Sequence, residues 1–395
     1  MDGDIKLNQI HEKIIHVTEG IELSLGGTTQ FIISLCDALY DKGFQAEIWA
    51  PKRSDADISL KNKIVIRQFE IGMPKFMYRC KNFYTSLKNL NPKPALIHQH
   101  GLWLDPYRVA AKFARQYKIP HIISLHGMLE PWSLKRSQWK KRLAWLAFQG
   151  RDIRLASCLH VATEREAENI RKLGIKTPVA VIPNGIQVAG VRSQESEASL
   201  HHIDFYPELR NKRIILFLGR IHPVKGLDFF AKVWKKIADD FPDWQWVIAG
   251  PDEDNYQSEL QILFEQLGIS NQITFVGTIA GEKKSALLRA SDLLILPSYL
   301  ESFGIVVLEA LNEGVPVMAS TNCPWSDLEI HGCGWWLKQD VTVWESALRK
   351  VMSMNHETLK AFGIKGKSLV KKKYSQDNLV NSMTELYNRL LYRGE

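Results

Sequence analysis

Short apolar runs rich in Ile, Leu and Val recur along the chain, and stretches of helical periodicity fill the intervals between them. In the first half the runs fall at residues 14–17, 46–49, 64–66, 96–98, 121–124, 158–161 and 179–182. In the second half they fall at 214–217, 246–249, 273–276, 293–296 and 315–318. Strand-length runs alternating with helices predict βα units and parallel sheets. The stretch 188–212 interrupts the series, being polar and rich in Ser, Glu and His. It predicts a linker between a first domain at 1–187 and a second at 213–376, with a last helix in 377–395 returning to brace the first. Open parallel sheets bind ligands outside the carboxyl ends of their strands, so residues just after the runs are the first candidates for chemistry.

Composition agrees with two globular domains: 395 residues, 45% hydrophobic and 24% charged, are more than one core needs. No leader pattern precedes the first strand and no apolar run approaches the roughly 20 residues of a membrane span, so a cytoplasmic protein is expected. The five cysteines are scattered without metal spacing, which predicts free thiols. The net charge of +8 is uneven. Residues 1–185 hold 28 Lys and Arg against 17 Asp and Glu, a balance of +11, while the remainder stands at −3. A basic half suits a phosphorylated substrate or an anionic membrane; no nucleic-acid motif accompanies it, and nucleic acid is not an expected partner.

Three segments after strands carry candidate chemistry. Gly26-Gly27-Thr28 precedes an apolar helix, where paired glycines admit a ligand to the backbone and a helix start offers free N–H groups. Gly219-Arg220 follows a strand directly, and Lys225-Gly226 comes five residues later, ahead of another helix. Two cations there suit a pyrophosphate, Arg220 through its planar fork and Lys225 as a compact charge. Residues 297–311 place Glu301 before Ser302-Phe303-Gly304 and Glu309 among Val307, Leu308 and Leu311. A carboxylate in such apolar company calls for a ligand hydroxyl or a nearby cation.

Gly-Arg-x4-Lys-Gly followed by Pro-Ser-x-x-Glu-x-Phe-Gly-x4-Glu resembles the retaining GT-B enzymes of glycosyltransferase family 4. The likeness runs through the Gly-Gly loop, His98-Gln99-His100-Gly101, Ser124-Leu125-His126-Gly127, Ile182-Pro183-Asn184-Gly185 and Ala249-Gly250-Pro251. It implies a GT-B fold: two Rossmann-like, doubly wound α/β domains facing across a cleft, the second holding the donor. It also implies roles. Arg220 and Lys225 would hold the diphosphate of a UDP-sugar, UDP-glucose being the first choice, and Glu309 the ribose. Glu301, with Ser302 and the backbone of Phe303 and Gly304, would bind the donor sugar. Gly277, Thr278 and Ile279 would lie against the base, Gly26 and Gly27 would close over the phosphates, and His126 would face the reacting sugar. Catalysis would rest on His126, Arg220, Lys225 and Glu301, with front-face retention, no cofactor and no metal.

The acceptor is expected to be a glycan or a lipid-linked saccharide, with His100, Trp103 and the segment around Trp132, Lys135, Arg136, Lys140, Lys141 and Arg142 as its candidates. That basic, aromatic segment suits an anionic acceptor or peripheral contact with a membrane; the alternative is an ordinary helix that buries Leu134, Leu143 and Trp145. Where many relatives carry Gly-Gly-x-x-Glu, this chain reads Asn322-Cys323-Pro324-Trp325-Ser326-Asp327, which predicts an altered loop beside the donor pocket. A nucleotide-sugar epimerase or phosphorylase on the same fold, or a non-catalytic sensor, are the rival readings. No pyridoxal-binding lysine is evident for a phosphorylase, and a sensor has no need of both Lys225 and Glu301.

Overall fold

The computed structural model describes residues 12–22, 27–53, 64–135, 137–188 and 206–392. Gly26, Arg136 and most of the expected linker lie outside the described residues. The chain forms two compact units, one made of Met1–Gly185 with Gln376–Glu395, the other of Ile186–Ser375.

The first unit is built on β1 (Glu12–Val17), β2 (Phe44–Pro51), β3 (Val65–Phe69), β4 (Leu96–His100), β5 (His121–Ser124), β6 (Cys158–Val161) and β7 (Val179–Val181). They form one parallel sheet in the order β3-β2-β1-β4-β5-β6-β7. The second unit holds β8 (Arg213–Leu218), β9 (Trp244–Ala249), β10 (Ile273–Gly277), β11 (Leu293–Leu296), β12 (Val317–Ser320) and β13 (Gly334–Leu337). Their order is β10-β9-β8-β11-β12-β13, again parallel throughout. Both are Rossmann-type sheets whose strand order reverses once, between β1 and β4 and between β8 and β11. Central strands such as β4, β5, β9 and β11 are buried along their whole length, as expected where helices cover both faces of a parallel sheet.

Two strands depart from the hydrophobic pattern for identifiable reasons. The run 315–318 yields β12 only from Val317, because Pro316 has no N–H and joins the ladder solely as an acceptor, from the Leu294 amide. β13, Gly-Trp-Trp-Leu, is not foreseen by the apolar pattern. Its glycine is required by contact: a Cβ on Gly334 would lie 2.1 Å from the Val317 carbonyl oxygen.

The core of the second unit is aromatic, with Phe230, Trp234, Trp246 and Trp344 fully buried and the Phe230 and Trp246 rings edge to face at 4.7 Å. In the first unit the helix Gln376–Leu391 buries Leu379, Val380, Met383 and Tyr387, spaced as one helical face, among Ile14, Leu35 and Leu96. The five cysteines are free.

Tyr387 adds a polar tie to that apolar seam, its hydroxyl 2.7 Å from His98 Nδ1 inside the sheet. Removing the hydroxyl leaves a buried ring nitrogen without its partner. Tyr387→Phe is expected to destabilise the first unit by about 1–3 kcal/mol, read as a lower urea midpoint at unchanged slope. An unshifted midpoint would show that the tie contributes nothing.

Candidate functional site

In the second unit the loops after β8 and β11 meet at the point where strand order reverses. After β8 come Gly219, Arg220 and a single 3-10 turn, Pro223–Lys225, leading into the helix Leu227–Lys235. After β11, residues 297–304 lead into the helix Ile305–Glu313. The Tyr299 amide donates to the Val224 carbonyl at 2.8 Å, and the Tyr299 hydroxyl lies 2.9 Å from Asp228 Oδ2. Gly226 has φ +70°, and a Cβ there would stand 2.2 Å from the Pro297 carbonyl oxygen. Only glycine allows the two loops this approach.

That junction brings together Lys225 and Glu301, whose Nζ and Oε2 stand 2.5 Å apart with each side chain 14% exposed. Arg220, about half exposed, is drawn to Glu253 beyond β9, at 2.5 Å. Glu309 pairs with Lys284, on the helix Gly281–Arg289, at 2.6 Å. The two predicted phosphate-binding cations are therefore each held by a different carboxylate. Glu253 and Lys284 are site residues that sequence reasoning missed, since each is recognised only through a partner distant in the chain. Gly277 and Thr278 are exposed at the end of β10, with Ile279 half-buried beside them.

The atypical loop at 322–327 has a defined task. Trp325 is fully buried, and its indole N–H donates to the Phe303 carbonyl at 2.5 Å while the two rings meet at 5.2 Å. Asn322 donates to Gln339, which in turn donates to the Pro297 carbonyl at 2.6 Å. Both ends of the segment carrying Glu301, Ser302 and Gly304 are pinned by these contacts.

In the first unit the carboxyl-terminal halves of β1, β4 and β6 carry buried histidines. His16 and His98 are register partners, as are His100 and Ser124, and Ser124 and His160. One hydrogen-bonded chain runs His16 Nδ1 to His100 Nε2 at 2.9 Å and His100 Nδ1 to His126 Nε2 at 3.2 Å. A second runs from Tyr387 through His98, Ser124 and His160 to the Ile182 carbonyl, with links of 2.6–2.9 Å. His100, expected at the acceptor, is thus internal, with both nitrogens engaged; it reaches a ligand only through His126. Burial holds His16, His121 and His126 down at about 3 and His160 at about 4, and pushes His98 and His100 well below the ordinary range. All are neutral at pH 7.

Among the described residues, His16, His98 and His100 form a group whose ligand atoms lie within 4.8 Å of one another, near enough for a metal ion. Both nitrogens of His98 are already hydrogen-bonded, and the His16 and His98 rings lie at 16° and 30° to that of His100, stacked rather than converging on a point. The geometry is that of a hydrogen-bonded stack.

Glu166, unforeseen from sequence, fixes the loop that carries His126. It accepts from the Gly127 amide at 2.7 Å and from the Ala162 amide at 3.3 Å. Burial pushes its carboxyl up to about 7 despite those amides. Nearby, an open cavity of about 470 Å³ is lined by Trp103, Leu129, Leu134, Trp145 and Leu173, with Lys135, Lys141 and Arg142 among its walls. Of the expected basic patch, Lys135, Lys140 and Arg142 are exposed, whereas Lys141 donates to the Ser133 carbonyl. Trp132, Trp139, Leu143 and Leu146 are exposed at 41%, 66%, 59% and 77%, so the ordinary-helix alternative fails at Leu143. Among the described residues no helix is long and apolar enough to cross a membrane.

Residues 25–189 match the family described as Glycosyltransferase Family 4, and residues 202–369 match Glycosyl transferases group 1. The chain belongs to the family 4 glycosyltransferases. This family chain is 24% identical over 321 residues to D-inositol 3-phosphate glycosyltransferase 2 of Catenulispora acidiphila, covering 75% of this chain and 74% of that protein. It is 35% identical over 125 residues to 2-deoxystreptamine N-acetyl-D-glucosaminyltransferase of Niallia circulans, a match spanning only 32% of either chain. HepE of Anabaena, solved with UDP and glucose, superposes with a TM-score of 0.78 at 18% identity, covering 96% of this chain and all of that one. The fold is GT-B.

The buried histidines make the first unit sensitive to acid. Their folded pKa values lie below the 6.5 of the free side chain, so the unfolded chain binds more protons and stability falls as pH drops from about 6.5 toward 3–4. Glu166 works in the opposite sense, with stability present below 4.5 and lost as pH rises through about 7. Six histidines outweigh one glutamate. Each histidine removes on the order of 1 kcal/mol between pH 7.5 and 5.5. Amide exchange at the two pH values is expected to show the first sheet losing protection far more than the second; equal losses would contradict neutral burial.

Proposed function

We propose that the protein transfers a hexose, with glucose as the first choice, from a UDP-sugar to a glycan or lipid-linked acceptor, retaining anomeric configuration and using no metal. The observation that carries this reading is the Lys225–Glu301 pair at the strand-order reversal of the second unit. In the structure each charge satisfies the other. A diphosphate offers Lys225 a stronger partner, and the exchange frees Glu301 to accept hydrogen bonds from sugar hydroxyls. Glu309, paired with Lys284, would accept hydrogen bonds from the ribose hydroxyls. HepE, which shares the fold, has been solved with UDP and glucose and with UDP-glucose, which favours that donor.

In the reaction the bond from the sugar's anomeric carbon to the β-phosphate oxygen breaks, and its electron pair passes to the phosphate. Arg220 and Lys225 meet the charge that grows there, replacing a divalent ion. The acceptor oxygen bonds to the anomeric carbon on the face the phosphate leaves, and the departing phosphate oxygen takes the acceptor's proton. Trp325 and Gln339 hold the Glu301 loop in place.

We further read the exposed face of residues 132–146 as the approach to a lipid-linked acceptor. Trp139, Leu143 and Leu146 form an exposed apolar stripe, and Lys135, Lys140 and Arg142 flank it. Cations beside such a stripe contribute about 1 kcal/mol each at an anionic surface. A surface pathway, cell-surface or exopolysaccharide synthesis, fits such an acceptor.

Lys225→Ala and Arg220→Ala are each expected to slow UDP release from UDP-glucose by about 10²–10³-fold, the effect of losing one charge-assisted donor at a developing oxyanion. Wild-type release is expected to continue in EDTA. A folded double variant with wild-type turnover, or EDTA inactivation reversed by Mg²⁺, would refute the assignment.

Flotation with liposomes is expected to recover the protein on anionic vesicles but not neutral ones, with release on adding salt and on changing Lys135, Lys140 and Arg142 to Gln. Equal recovery on both vesicle types, or unchanged binding by the variant, would leave the face an ordinary surface.

A further inference from the structure

The second histidine chain ends on a carbonyl, which sets every proton along it. The Ile182 oxygen can only accept, so His160 carries its proton on Nε2 and accepts at Nδ1 from the Ser124 hydroxyl. Ser124 then accepts from His98 Nε2–H, and His98 Nδ1 accepts from the Tyr387 hydroxyl. Neutral histidines leave no alternative.

The first chain lacks such an anchor but has a dead end. His16 Nε2 is buried and has no hydrogen-bond partner. A buried N–H without an acceptor is rarer and costlier than an idle acceptor lone pair, so the proton of His16 belongs on Nδ1. It is donated to His100 Nε2. His100 must then carry its proton on Nδ1 and donate to His126 Nε2, which leaves His126 protonated on Nδ1. That nitrogen has no protein partner among the hydrogen bonds of the described residues. The loop is stiff at this point: His126 sits at φ +48°, its ring packs edge-on against Phe31 at 5.8 Å, and Glu166 grips the next amide.

We propose that His100, itself directed by His16, is a positioning residue that fixes His126 as the Nδ1–H tautomer, so that the first unit presents a hydrogen-bond donor to a sugar oxygen and cannot accept one there. The proposal rests on the glycosyltransferase reading only for the nature of the ligand. In this arrangement His126 is not a base; it selects and holds an oxygen, and the two histidines behind it supply the direction.

The tautomer can be read without substrate. Long-range ¹H–¹⁵N correlation spectra of the full chain, labelled at histidine, with His126 assigned through its loss in His126→Asn, are expected to show a protonated Nδ1 and an unprotonated Nε2. His100→Leu removes the donor to Nε2 and is expected to shift His126 toward the Nε2–H form. His100→Asn places an amide near the original Nδ1 and is expected to restore the wild-type pattern. A wild-type His126 protonated on Nε2, or a tautomer unmoved in folded His100→Leu, would overturn the proposal. Should His100→Leu not fold, activity decides through His126→Asn, which keeps a donor, and His126→Asp, which offers only acceptors. Both residues tolerate the left-handed backbone. His126→Asp is expected to lose about 10²-fold more kcat/KM than His126→Asn; equal losses would sink the donor role. If UDP-glucose is not turned over at all, the functional reading fails while the spectra still judge the tautomer.

Discussion

Parallel strands send all their carboxyl ends to one edge of a sheet, and a single reversal of strand order leaves a gap there between two loops that turn away from each other. In the second unit, the architecture of the candidate site depends on how closely those loops can approach. Gly226 against the Pro297 carbonyl sets the distance, and the Tyr299 amide on Val224 locks it. Lys225 and Glu301 meet because the backbones on which they sit are already in contact, one residue from the glycine and four from the proline. A larger residue at 226 would part the loops and with them the ion pair.

The two units treat buried polarity in opposite ways. The second keeps charged pairs at the edge of its sheet, where partial exposure lowers the desolvation penalty and lets a partner be exchanged. The first places neutral imidazoles within its sheet and satisfies most of their nitrogens through a neighbour. Such a chain is rigid because no member can turn without stranding another. Ion pairs suit a site that must let go of one partner to take the next, whereas a closed imidazole chain suits a surface whose polarity must stay constant.

Much of this was legible in the sequence because βα architecture writes itself locally. The apolar runs mark the strands, and the spacing of Gly219-Arg220 from Lys225-Gly226 already places two cations between a strand end and a helix start. The partners were not legible. Glu253 and Lys284 look like any solvated surface charge until the fold brings them to Arg220 and Glu309. β13 escaped because it is short and opens on Gly334, whose reason, contact with the Val317 carbonyl, exists only in the assembled sheet. The histidine stack did leave a signal: His16 and His160 each interrupt an apolar run, His98 ends one with His100 two residues on, and an imidazole in a central strand must find a partner. Which partner it finds is a matter of register, and register comes only with the assembled sheet.

The helix Gln376–Leu391 gives the chain an order of completion. Leu379, Val380, Met383 and Tyr387 close a core whose other members come from the first half of the sequence. A ribosome delivers them only after the whole of Ile186–Ser375 has been made. The first unit, though begun first, waits with an open apolar seam while the second emerges and can fold. Synthesis therefore reverses the usual precedence of an amino-terminal domain, and a nascent chain halted anywhere before residue 376 carries an unfinished first unit regardless of how well the second has formed.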